Sequence, residues 1–129
     1  MRIFTLNLDK VFYEMIARGY KKKEYREVKE FWVRRLMNPI DSGDVKMYDM
    51  ERFHEMVNAH QVIKKHVFKE FDILRIKLGY GKSGQDEIDF VWKPVTLEKP
   101  NPKWIGSKFE KDLSMKITFD LSERYHEGE

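Results

Sequence analysis

Apolar and polar positions change period along this chain, and the changes mark out its elements. Arg2 to Leu8 alternates, with Phe4, Leu6 and Leu8 on one side and Ile3, Thr5 and Asn7 on the other, which predicts a first strand. Asn7 or Asp9 then offers a short side-chain oxygen to the orphan amides of a helix whose stripe is Phe12, Met15 and Ile16, with Val11 beside them. Gly19 stands where that helix needs a left-handed cap. Lys23 to Val28 returns to a strand-like alternation that places Glu24 and Arg26 on one face and Tyr25 on the other. Phe31, Trp32, Val33 and Leu36 suit a short helix stopped by Asn38-Pro39.

Asn38 to Asp44 has the Pro, Gly, Ser and Asp content of a loop. From about Met50 to Val67 the apolar residues Phe53, Met56, Val57, Ile63 and Val67 fall near one helical face. Strands are expected at Phe71 to Leu78, at Ile88 to Leu97 with Pro94 implying an edge or bulge, and at Met115 to Leu121. Loops are expected at Gly79 to Gly84 and at Pro100 to Gly106, and a frayed tail at 122–129. Without repeat or linker, residues 1–121 read as one domain. The order of elements supports an α+β fold with a mixed sheet and helices packed outside it.

Composition narrows the functional classes. Nine Phe, six Tyr and three Trp in 129 residues are enough for a real core, and a charged fraction of 36% with both signs interspersed fits a solvated folded surface. Cysteine is absent, which excludes disulfides and thiolate metal sites. His54, His60, His66 and His126 show no metal-ligand spacing, so neither a metal nor a cofactor is expected. With no long apolar run and no leader pattern at Met1-Arg2-Ile3-Phe4, the expectation is a cytoplasmic protein with no membrane partner.

The net charge of +3 is modest but unevenly placed. Seven basic and three acidic residues lie between Lys21 and Arg35, which suits an anionic partner as well as it suits a solvated face. Within that stretch Arg26 offers a rigid fork for phosphate or a base edge, and Lys21 a mobile point charge. Glu24 is suited to accept a proton or to orient a hydroxyl or amino group. The competing reading is a Glu24–Arg26 ion pair that stiffens the strand. Lys23 and Arg35, with Arg34, extend the basic surface. Among the aromatics, Phe31 and Trp32 are expected in the core and Tyr25 in the core or at its rim, and Tyr20 and Tyr80 are the candidates for base stacking. Gly79 to Gly84 lacks the spacing of a triphosphate-binding loop and reads as a strand connection, with Lys82 as a phosphate contact.

Gly19-Tyr20-Lys21-Lys22-Lys23-Glu24-Tyr25-Arg26 fits the G-x-K-x-x-E-x-R pattern of the ASCH (activating signal cointegrator homology) domain, of the PUA-like superfamily. The preceding strand and helix, the following Trp32 and Arg35-Leu36, and the later Gly79-Tyr80 and Trp104-Ile105-Gly106 also resemble small phage and bacterial members. The resemblance implies a β pseudo-barrel of about five or six strands flanked by helices, with a helical insertion near residues 47–68. It also implies a cleft lined by Lys21, Glu24 and Arg26 that binds RNA or a nucleotide.

Some members hydrolyse acylated cytidine nucleosides with the motif Lys, a Thr at the motif Glu position and a distal Glu. Lys21 matches, but Glu24 stands where those enzymes carry Thr, so the nucleophile is missing. Two alternatives to simple binding stay open. One is a metal-independent hydrolase in the same cleft, a ribonuclease or a nucleoside amidohydrolase, with Glu24 as base and Lys21 and Arg26 stabilising the developing charge. The other is an accessory protein that contacts a protein partner through the 50–67 helix.

Overall fold

The computed structural model describes residues 1–38, 40–42, 45–47, 68–79, 86–105 and 114–126, with 40–42 and 45–47 described by their backbone alone. The chain gathers into two compact units of interleaved segments. Unit 1 is Met1–Glu24, Phe71–Pro94 and Phe119–Glu129; unit 2 is Tyr25–Glu70 and Val95–Thr118. The class is α+β. The elements in order are β1 (Ile3–Leu8), α1 (Lys10–Ala17), β2 (Lys23–Arg26), α2 (Glu30–Leu36), β3 (Ile40–Ser42), β4 (Val45–Met47), β5 (Ile73–Leu78), β6 (Glu87–Val91), β7 (Thr96–Glu98), a 3-10 turn (Pro102–Trp104) and β8 (Lys116–Asp120). Among the described residues, β1-β5-β6 and β2-β8-β7 form two three-stranded sheets and β3-β4 a two-stranded one, with no closed ring of strands. No described helix is long and apolar enough to cross a membrane.

Period-two alternation builds unit 1. β1 runs parallel to β5 with Phe4 opposite Leu74 and Leu6 opposite Ile76, and β5 runs antiparallel to β6 with Leu74 opposite Phe90 and Ile76 opposite Ile88. These six residues are all buried, so one face of the sheet is a continuous apolar surface. Each fully buried side chain of this size contributes about 1.5–3 kcal/mol over its exposed state. Phe4 packs its ring 5.1 Å from Phe71, 5.5 Å from Trp92 and 5.4 Å from Phe119. On the opposite face, Arg75 makes two hydrogen bonds to Asp89 and pairs with Glu87, which also pairs with Lys77.

Unit 1 also holds the start of the motif. Asp9 caps α1 by accepting a hydrogen bond from the Phe12 amide. At the other end, Gly19 has φ +80°, its amide donates to the Ile16 carbonyl, and the Tyr20 amide donates to the Met15 carbonyl. This reciprocal pair is a Schellman cap, which turns the chain from helix into strand. Of the expected stripe on α1, Ile16 is buried and Phe12 and Met15 are half-buried, whereas Val11 is 67% exposed. Val11 lies in the first turn, rotated off the Phe12–Ile16 face.

The expected frayed tail is instead tied down as far as residue 125. Glu123 accepts from the Val91 amide, the Tyr125 amide donates to Asp89, and Arg124 reaches the Ala17 carbonyl with a 2.8 Å hydrogen bond. A guanidinium on the last carbonyls of a helix is favoured by both hydrogen bonding and the helix dipole.

Unit 2 buries Tyr25, Val33, Leu36, Met37, Phe68, Val95, Leu97 and Ile117. Tyr25 accepts a hydrogen bond at its hydroxyl from the Asn101 amide, and Asn101 in turn caps the 3-10 turn through Lys103. β7 pairs antiparallel with β8, Leu97 opposite Ile117. The single strand expected at 88–97 is therefore two, β6 and β7 in different sheets, with Pro94 in the connection where it removes no ladder donor. The loop expected at Asn38 to Asp44 is also partly strand. Ile40–Ser42 pairs antiparallel with Val45–Met47, because cross-strand pairing outweighs the turn-forming composition. Of the helix expected around 47–68, Met47 ends β4 and Phe68 bridges Met37, while 48–67 lie outside the described residues.

Candidate nucleic-acid interface

In unit 1 the Schellman turn carries the chain inward, and the Lys21 amide also donates to the Met15 carbonyl. The Lys21 side chain is buried at 1% exposure, and Glu24, the first motif residue inside β2, is buried at 4%. Lys21 Nζ lies 3.3 Å from Glu24 Oε1 and 4.8 Å from the centre of the Phe12 ring. The ammonium thus has a carboxylate and an aromatic face, which offset part of its desolvation cost. Lys21 and Glu24 form a buried ion pair rather than a solvent-facing surface. Tyr20, one residue earlier, is 68% exposed, and Lys23 is half-buried.

Lys23 acts on a neighbouring carboxyl. Burial alone pushes the Asp120 carboxyl up, but hydrogen bonds from the Ser122 hydroxyl and amide, with the charges of Lys93 and Lys23, bring it below the usual carboxylate range. Lys93 also donates to Ser122, so these residues form a small polar network in unit 1.

In unit 2 the end of β2 and the helix α2 bring aromatics and cations together. Arg26 donates from Nη1 to the Tyr25 carbonyl at 2.9 Å, which holds its guanidinium 5.2 Å from the centre of the Trp32 ring. Arg35, one helical turn beyond Phe31 and Trp32, sits 5.0 Å from the Trp32 centre and 5.7 Å from the Phe31 centre. Phe31 meets Trp32 edge-on, with centroids 5.0 Å apart. Burial pushes the Arg35 guanidinium down, and the like charge of Arg26 pushes it further. Two cations are thus held over one indole, each with a planar fork suited to phosphate oxygens.

The helix explains the geometry. Val33 and Leu36 are the buried residues of α2, with Glu30 in its first turn and Arg34 and Arg35 in its last, as the helix dipole favours. At about 100° per residue, Phe31 points about 170° away from the Val33–Leu36 mid-line, and Trp32 flanks it. Phe31 is accordingly 63% exposed, not in the core as expected from its apolar character. The helical wheel is the signal that could have found it.

Tyr80 and Lys82, the other expected contacts, lie outside the described residues, as does the stretch 50–67 where a helix is expected. Lys116, which the sequence did not single out, is buried in β8 and donates to Ser114 Oγ at 2.8 Å. Its parity with Thr118, opposite Ile117, gave no sign that both faces of β8 would be covered.

Fold and geometry together define the class: an α+β protein with a buried Lys–Glu pair in one unit and a cation–aromatic cluster in the other. No family model, curated protein or solved structure matches the chain.

Proposed function

We propose that the protein binds RNA or a nucleotide, taking an anionic group of the ligand on Arg26 and Arg35. The observation that carries this reading is the convergence of these two guanidiniums on the Trp32 ring, 5.2 Å and 5.0 Å from its centre. A phosphate accepts paired hydrogen bonds from planar forks of this kind. The same proposal takes the chain as an ASCH-like protein with a PUA-like pseudo-barrel. In its support are the left-handed Gly19 before Lys21, the order β1, α1, β2, α2, and the six strands in two three-stranded sheets. On this reading the motif divides its labour. Lys21 and Glu24 brace the entry to β2 as an ion pair, and Arg26 serves the ligand.

The test is equilibrium binding of a short oligoribonucleotide across a salt series. Affinity should fall as salt rises, because phosphate contacts release counterions. Arg26→Ala and Arg35→Ala should each weaken binding and lower the salt slope by about 1. Binding that is absent in the wild type, or unchanged in both variants, overturns the reading.

A further inference from the structure

We propose that α2 is a platform for single-stranded RNA, on which Phe31 stacks one unpaired base while Arg35 and Arg26 hold the adjoining backbone phosphate. The proposal rests on the RNA-binding reading and specifies its ligand.

Phe31 is a large apolar ring that α2 turns towards solvent, on the side of the helix away from buried Val33 and Leu36. It is not a loose surface side chain. Trp32 meets its ring edge-on at an interplanar angle of 86°, and the Arg35 guanidinium lies over it. Those contacts restrain the plane of the ring, so little side-chain freedom remains to be lost when a base is laid against it. An exposed aromatic held beside a guanidinium matches a nucleotide in both its parts: π-face for the base, planar donors for the phosphate.

Ile3, Val11, Tyr20 and Met115, also exposed, have no such ring-and-guanidinium setting among the contacts described. Charge argues against an apolar protein partner. The ring is rimmed by Arg35, and the neighbouring Arg34 is exposed, so the surroundings of Phe31 favour a polyanion. Inside a duplex each base face is covered by its neighbours, leaving only the two end pairs open, so the platform favours single strands.

The experiment measures fluorescence anisotropy of a labelled ten-nucleotide single-stranded RNA and of the blunt duplex of the same sequence. It uses the full chain as wild type, Phe31→Leu, Phe31→Tyr and Arg35→Ala, with circular dichroism recorded for each. The single strand should bind more tightly than the duplex. Phe31→Leu keeps an apolar side chain but removes the π-face, and should lose about 5- to 150-fold in affinity, the range of one base stack. Phe31→Tyr should stay close to wild type, which separates loss of stacking from loss of fold.

Wild-type binding that Phe31→Leu leaves intact, or that is equal for duplex and single strand, overturns the platform and leaves the RNA reading standing. That result would also be the one expected if Phe31 served a protein partner. Wild-type protein that binds neither RNA overturns both proposals.

Discussion

Two clusters in this molecule are built from the same materials, a cation against an aromatic ring, and their environments give them different work. In unit 1 the Lys21 ammonium is buried over Phe12 and neutralised by Glu24 at 3.3 Å. In unit 2 the Arg35 guanidinium lies over Trp32 and Phe31, is only partly buried, and feels a second cation, Arg26. A buried cation with a carboxylate beside it is committed to the fold. A cation held near solvent over aromatic rings is suited to an outside anion. Depth, more than residue type, separates brace from binding surface.

The largest effect is expected at the buried pair. Removing one partner leaves the other charge in the interior, so Lys21→Met or Glu24→Gln should cost about 3–5 kcal/mol of unfolding free energy. Replacing both by apolar residues should cost much less than the sum of the singles, because no lone charge remains. Urea denaturation of the two single variants and the double measures this. Single variants as stable as wild type would show that the pair is not a brace. In unit 2 the effect should move from stability to binding. Arg26→Ala and Arg35→Ala should unfold near the wild-type midpoint yet bind RNA more weakly, each with a salt slope lower by about 1, read from the same salt series.

A third test addresses the turn that leads into Lys21. Gly19 has φ +80°, and a methyl group there would meet nothing closer than Lys22 Nζ at 3.7 Å. Space is therefore not the obstacle, and Gly19→Ala isolates the cost of left-handed backbone, about 1–2 kcal/mol. If Gly19→Ala is neutral in urea denaturation, the Schellman turn does not hold the entry to Lys21.

How far the sequence led can be judged on these same residues. Gly19 was legible because a positive φ is an intrinsic demand of one position, and the cap of α1 was narrowed to Asn7 or Asp9, of which Asp9 accepts from the Phe12 amide. The alternation of β1 and β5 was legible because its period is local. The β3-β4 pairing was not, since a strand of three residues owes its existence to its partner and not to its composition. Nor did the i,i+3 spacing of Lys21 and Glu24 reveal that the pair would be buried, because spacing reports proximity and not depth. Phe31 was misjudged for a related reason: apolar character was counted without its direction on the helix.

The smallest effect is expected at Asp120, a carboxylate with cations near the surface. Asp120 accepts from Ser122 and feels Lys93 and Lys23, which together outweigh the upward push of its burial and set its carboxyl below the ordinary range. A carboxyl lowered in the folded state contributes stability that is fully present above its unfolded pKa, about 4, and is lost as pH falls through the folded value. Because Asp120 is partly solvated, that contribution is discounted to the surface range, under about 1 kcal/mol. Asp120→Asn should therefore be slightly less stable than wild type near neutral pH. The gap should close in acid, and added salt should narrow it by screening the two lysines. Denaturation midpoints of both proteins across a pH series measure it. A gap as large as that of Glu24→Gln would mean that depth does not set the weight of a charge here, and the contrast between the two clusters would lose its physical basis.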